Sequence, residues 1–321
     1  MVTIYLFHMP VFYFISGYFF SKHRNIEIVP FIRRKIYTLY RPFIIYEFIF
    51  LILSGLFFQL QLTQEVITLK SVISKSINIL IFKNSFTLLP FWFLRSLFII
   101  NVIFLFQYIF VQKLKLNSYL LLIINTLLFI IGSYLCMKEM HQPLELQREF
   151  ILLYFFTLGY YFTPPYKKSI KKYNIIKLLT LIICAFSLKV DLAYSIISNP
   201  ILLLICSICG ITLLIELCEY LNKKQTASIN IIKRILCLCG KYSLTIFALH
   251  LLSFKLISLL IIKIHNLSID NLSSFPTIDH PYSGWWIAYS IVGTAIPLFL
   301  NMLYHKFKAI HNEQSSTNRN D

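Results

Sequence analysis

A chain of 321 residues that is 58% hydrophobic and 17% aromatic but only 13% charged carries more apolar surface than a soluble domain of its size can bury. Its 30 Lys and Arg against 13 Asp and Glu give a net charge of +17, but these cations lie mainly between apolar runs, where they anchor loops at a lipid surface and argue against a nucleic-acid partner. The seven cysteines fall in or beside the same runs as small hydrophobes; Cys206 and Cys209 have zinc-knuckle spacing but no second pair completes a metal site, so neither a disulfide framework nor a metal is expected.

A membrane span needs about 20 mainly apolar residues to cross roughly 30 Å of hydrocarbon at about 1.5 Å per residue. Nine stretches qualify in chain order: 2–21, 40–60, 90–111, 117–136, 149–164, 174–189, 199–220, 242–263 and 284–305. The fold class that follows is all-α, a polytopic integral membrane protein. Residues 61–89 are too polar around Lys70, Ser71, Ser74, Lys75 and Ser76 to span and read as an interfacial segment. Residues 1–311 read as a single transmembrane domain and 312–321 as a disordered polar tail.

The loop charges alternate along the chain. One set of loops, from Lys22 to Arg41 and then at Lys113 and Lys115, Lys167 to Lys172, Lys223 to Lys241, and Lys306, Lys308 and Arg319, holds 20 Lys and Arg. The opposite set holds 7: Lys70, Lys75, Lys83, Lys138, Arg148, Lys189 and Lys263. By the positive-inside rule the C-terminus is cytoplasmic and Met1 lies on the outer face. A first span that starts outside at once suggests that an inward-to-outward helix belongs before it.

Three intramembrane groups stand out as carriers of chemistry. In the first span Pro10 cannot donate a backbone hydrogen bond, which frees the carbonyl of Leu6 beside the imidazole of His8. Such a polar defect survives in lipid only where other helices or water satisfy it. Arg95 follows Pro90-Phe91-Trp92-Phe93-Leu94 near the outward end of the third span; it either faces an interior or snorkels to the interface. His250 lies ten residues past Gly240 in the eighth span, roughly 15 Å along the helix and so near the midplane. Glu216 and Glu219, near the inner end of the seventh span, read as interfacial.

Four strings in register resemble the acyltransferase 3 family along nearly the whole chain. They are Phe7-His8-Met9-Pro10 with Ile15-Ser16-Gly17-Tyr18, the basic stretch Phe31-Ile32-Arg33-Arg34-Lys35 leading to Arg41-Pro42, the Phe91-Trp92-Phe93-Leu94-Arg95 box, and Gly240-Lys241-Tyr242-Ser243-Leu244 ending in Leu249-His250. The resemblance implies a bacterial inner-membrane acyltransferase with ten helices, many of whose relatives are O-acetyltransferases acting on surface polysaccharides, including a fucose 4-O-acetylase-like branch. Family members begin with a cytoplasmic Arg or Asp and a first helix bearing the histidine regarded as catalytic. This chain starts where that helix ends, so the expectation is that it is catalytically incomplete without that segment.

What the resemblance implies chemically is transfer of an acyl group from cytosolic acyl-CoA, most simply acetyl-CoA, to a hydroxyl of a cell-surface or lipid-linked glycan, with membrane lipid as the other partner. A histidine suits the base, since its ordinary pKa of about 6.5 lets it take a hydroxyl proton and return it to the leaving thiolate. On this reading His8 is the best remaining base, Arg95 a carbonyl or glycan contact and His250 a weaker third. Arg33, Arg34, Lys35 and Arg41 would hold the phosphates of acyl-CoA, or else anchor the loop. The alternative is a polytopic carrier or a degenerate family member kept as a scaffold in polysaccharide assembly.

Overall fold

A computed structural model describes residues 2–22, 26–64, 68–83, 90–140, 146–162, 173–192, 194–273, 277–278 and 284–317, with side chains from residue 6 to residue 306 within those limits. The structure is almost entirely helical, and each of the nine apolar stretches becomes a helix. Among the described residues, six helical stretches are long and apolar enough to cross a membrane: Ile28–Gln59, Trp92–Lys113, Tyr119–Met137, Pro200–Lys223, Ser243–His265 and Trp285–Lys306. Large apolar side chains are exposed along the helices, among them Ile52 at 80% and, on the shorter apolar helix Asn174–Ser187, Phe186 at 90%, as suits surfaces that face lipid. The basic residues Arg24, Lys167, Lys168, Lys171 and Lys172, and the tail beyond Thr317, lie outside the described residues.

Two compact units share the chain: Met1–Tyr40 with Trp92–Gln225, and Arg41–Phe91 with Thr226–Asp321. In the first, α1 (Val2–Ser21) is central. It packs against α5 (Trp92–Lys113), α7 (Leu146–Tyr161), α8 (Asn174–Ser187) and α9 (Pro200–Lys223), with α2 (Ile28–Lys35) and a π-helical turn (Ile36–Tyr40) beside α5. Aromatic contacts fix helix direction: Tyr13 meets Phe93 while Phe20 meets Phe104 and Phe156, so α1 and α5 run parallel. α6 (Tyr119–Met137) runs antiparallel to α7, since Asn125 bonds Thr157 whereas Phe129, one turn on, meets Tyr154.

Small residues set the spacing. A Cβ on Gly17 would fall inside the carbonyl oxygen of Phe156, and one on Gly159 inside that of Phe14, so the backbones of α1 and α7 meet with nothing between them. That closeness maximises dispersion contact where lipid removes the hydrophobic drive for helices to associate. α9 starts cleanly because Asn199 accepts from the amides of Ile201 and Leu202 at 3.1 Å, with Pro200 in the first turn. Before it, a two-residue hairpin pairs β1 (Val190–Asp191) with β2 (Ile196–Ile197).

The second unit holds α3 (Arg41–Gln59), α4 (Leu69–Leu80), α10 (Ala227–Lys241), α11 (Ser243–His265) and α12 (Trp285–Thr317). α11 and α12 form an antiparallel pair around Ile257, Ile261 and Tyr289, tied by Asn301 to Thr245 at 2.7 Å and by Ser258 to Tyr289 at 2.9 Å. The segment expected at the interface contains α4, opened by a capping box in which Thr68 and Ser71 bond each other's amides. α10 is a helix that the charge count treated only as a basic loop; its Ile231, Ile232, Ile235 and Leu236 are all exposed.

Candidate active site

The defect expected at Pro10 is present and is closed by a neighbour. Ser207 of α9 donates its hydroxyl to the Leu6 carbonyl at 3.3 Å in the buried interior. His8, two residues beyond Leu6 on α1, is half-buried. At helical i+4 from it, Phe12 packs edge-on against Phe93 with ring centroids 5.3 Å apart, two residues before Arg95. This is where the structure places the first two expected site residues: His8 on α1, Arg95 in the first turns of α5, within one unit.

Arg95 does not stand alone. Its Nη1 lies 3.7 Å from Oε1 of Glu149, in the first turn of α7. The same carboxylate takes a two-pronged contact from Arg148, Nε to Oε2 at 3.0 Å and Nη2 to Oε1 at 3.3 Å. Arg148 is fixed further by the carbonyl of Leu192 beside the hairpin, 3.3 Å from Nη1, and its guanidinium lies 4.8 Å over the Trp92 ring. Glu149 and Arg148 are wholly buried, whereas Arg95 keeps 16% of its side chain accessible. Charges removed from water must be paired to persist, and paired forks of this kind are directional. The snorkelling alternative for Arg95 therefore gives way to a buried ionic cluster.

Two polar atoms next to this cluster, the Tyr13 hydroxyl and the neighbouring Ser96 hydroxyl, are buried without a hydrogen bond of normal geometry; Oε1 of Gln147, a residue whose backbone faces Gly132 of α6, is likewise buried and unbonded. Further along α5 the polar residues continue. Asn101 donates to Leu97 O at 2.7 Å and toward Ser16 at 3.4 Å, and Gln107 donates to Asn125, which donates to Thr157. From Arg95 to Gln107, roughly 18 Å of helix, these polar residues recur among the buried Ile100, Phe104 and Leu105.

The basic group occupies the last turn of α2. Arg33 lies over the Tyr37 ring, and Arg34 and Lys35 over that of Phe31, at 5.3–5.9 Å, with both arginines solvent- or headgroup-exposed. Cations there complement the helix C-terminus. Arg41, also exposed, opens α3 in the second unit. His250 is in the second unit too; Nδ1 bonds the carbonyls of Phe247 and Ile246 at 2.9 and 3.1 Å, and the ring meets Phe254 edge-on. Glu216 pairs with Lys177 at 2.9 Å between α9 and α8, a structural tie between helices.

Sequence reasoning missed Glu149 and treated Arg148 as a loop charge, and it passed over Tyr13, Ser96 and Gln147. The available signal was Gln147-Arg148-Glu149 directly abutting an apolar run, since adjacent opposite charges at a span boundary either sit in water or close on a buried partner. A family model described as an acyltransferase domain matches residues 1–302, covering both units up to α12. Comparison with curated proteins and with solved structures gives no match.

Proposed function

The chain belongs to the acyltransferase 3 family, a family of membrane acyltransferases, and on that premise we propose that it moves an acyl group from cytosolic acyl-CoA, acetyl-CoA in the simplest case, to a hydroxyl of a surface or lipid-linked glycan in a bacterial inner membrane. The observation that carries this reading is the buried Arg95–Glu149–Arg148 cluster inside a helical unit matched by the family model. Ionised side chains in lipid are costly, and they occur where a pathway or a site needs them.

In the proposed reaction the acceptor oxygen attacks the thioester carbon, the C–S bond breaks, and the proton leaves the hydroxyl for the coenzyme A thiolate by way of a base. His8 is assigned as that base, because imidazole ionises near neutral pH. Arg95 stabilises the developing oxyanion or the acceptor, at the partly accessible edge of the cluster. Arg33, Arg34, Lys35 and Arg41 are assigned to the acyl-CoA phosphates, which guanidinium forks pair bidentately. His250, whose Nδ1 is taken by its own helix, is the secondary histidine.

The test is transfer of radiolabelled acetyl from acetyl-CoA to glycan in membranes bearing the protein. Turnover should depend on the protein, and His8→Ala and Arg95→Ala should each lower it about 10²-fold or more at normal membrane abundance. Full turnover in both variants would remove them from the chemistry, and protein-independent labelling would remove the function.

A further inference from the structure

The ionic cluster is more elaborate than a tie between helices. The Lys177–Glu216 pair joins α8 to α9 with one carboxylate and one ammonium. Around Glu149 two guanidiniums converge, an indole lies against one of them, and the Tyr13 and Ser96 hydroxyls, which face each other, are buried without a hydrogen bond of normal geometry. Polar atoms stripped of water and left unmade are a standing cost, and they commonly mark a place that a ligand or an ordered water completes.

We infer that the place where Tyr13 of α1 meets the first turns of α5 and α7 is the subsite for the acceptor sugar, with Glu149 as the positioning residue that holds Arg95 toward it. This inference rests on the acyl-transfer reading. The choice of ligand follows from the atoms. The Glu149 carboxylate already engages both guanidiniums, at 3.0 Å from one and 3.7 Å from the other, so the cluster keeps a net charge of only +1 and its forks are already occupied, which suits a polyphosphate poorly. A neutral ligand needs neither that charge nor those forks. Tyr13 and Ser96 can each donate and accept, which is the complement of sugar hydroxyls that do both.

Accessibility agrees. Arg95 is the member of the cluster with exposed side chain, so a ligand reaches Arg95 first while Glu149 and Arg148 stay buried behind it. The charge asymmetry of the loops assigns this end of α5 and α7 to the outer face, the side on which an exported glycan is found. Glu149 therefore acts through Arg95: neutralising it loosens the guanidinium without removing any group that touches acyl-CoA.

The measurement uses the full chain in lipid nanodiscs, with acetyl-CoA as donor and the methyl glycosides of fucose and N-acetylglucosamine as acceptor probes. Glu149→Gln should raise the acceptor KM by about tenfold while leaving the acetyl-CoA KM within twofold, and Glu149→Asp should recover part of the loss. Tyr13→Phe and Ser96→Ala, milder changes that keep the packing, should each raise acceptor KM severalfold and serve where Glu149→Gln does not fold. An altered acetyl-CoA KM, or a loss confined to kcat with the acceptor KM unmoved, overturns the subsite and leaves acyl transfer standing. If the wild-type chain shows no transfer, the function fails and the subsite is decided by binding. With Trp285 and Trp286 replaced by Phe, the remaining Trp92 should be quenched by the glycosides in the otherwise wild-type chain and not in Glu149→Gln; the absence of quenching would refute it.

Discussion

The bond between Ser207 and Leu6 shows what one proline demands of its surroundings. Pro10 withdraws the amide that would otherwise bond Leu6, and in lipid an unsatisfied carbonyl is expensive. The Ser207 hydroxyl supplies that donor from α9. Thr212, five residues later in the same helix, instead bonds back to its own Ile208 and Cys209 carbonyls and ties nothing together. Ser207→Ala is therefore expected to destabilise by about 1 kcal/mol, and Thr212→Val to have little effect, in reversible unfolding from mixed detergent. A double-mutant cycle sharpens this: in a Pro10→Ala background Leu6 regains its helical partner, and the Ser207→Ala cost should shrink toward zero. Equal costs in both backgrounds would show that Ser207 stabilises by packing alone. The proline and its freed carbonyl were legible in the sequence. The serine was not, because which helix comes alongside α1 is set by packing between segments some two hundred residues apart, on which the local pattern is silent.

Helix positions follow from hydropathy, while helix contacts follow from what the helices lack. The nine apolar runs were readable as helices because length and apolarity are properties of single elements. α10 was hidden by its own charges: Lys233, Arg234 and Lys241 were counted as loop cations, although Ile231, Ile232, Ile235 and Leu236 give it an apolar face. The α1–α7 interface was equally hidden, since Gly17 and Gly159 look unremarkable until their backbones are seen to touch. Substituting Val at either glycine should push the helices apart and lower folded, membrane-inserted protein severalfold, with a measured loss of about 2–4 kcal/mol. Gly55 of α3 is the control, because nothing lies within 4 Å of where its Cβ would be. Gly55→Ala should be neutral or stabilise by up to about 1 kcal/mol through helix propensity. A Gly17→Val protein with undiminished stability would mean that α1 and α7 do not meet at these positions.

At the scale of the whole molecule, the order of helix directions is an independent reading of topology. Spans that alternate across a membrane must make sequence neighbours antiparallel and alternate spans parallel. The contacts obey this: α1 and α5 run together, α6 opposes α7, α8 opposes α9 through Lys177–Glu216 and Cys184–Cys206, and α11 opposes α12. Direction alone leaves the two faces of the membrane interchangeable, and only the 20 to 7 asymmetry of loop cations distinguishes them. Single cysteines at Ser169 and Ser274, in a background with all seven native cysteines replaced, separate the two choices. Ser274→Cys should react with an impermeant maleimide in intact cells, and Ser169→Cys should react only after permeabilisation. The reverse pattern would place the Arg95–Glu149 cluster at the cytosolic end, beside acyl-CoA instead of an exported glycan. The acceptor assignment would then lose its geometric support even if acyl transfer itself were observed. Sidedness therefore ties the charges in the loops to the chemistry proposed within the helices.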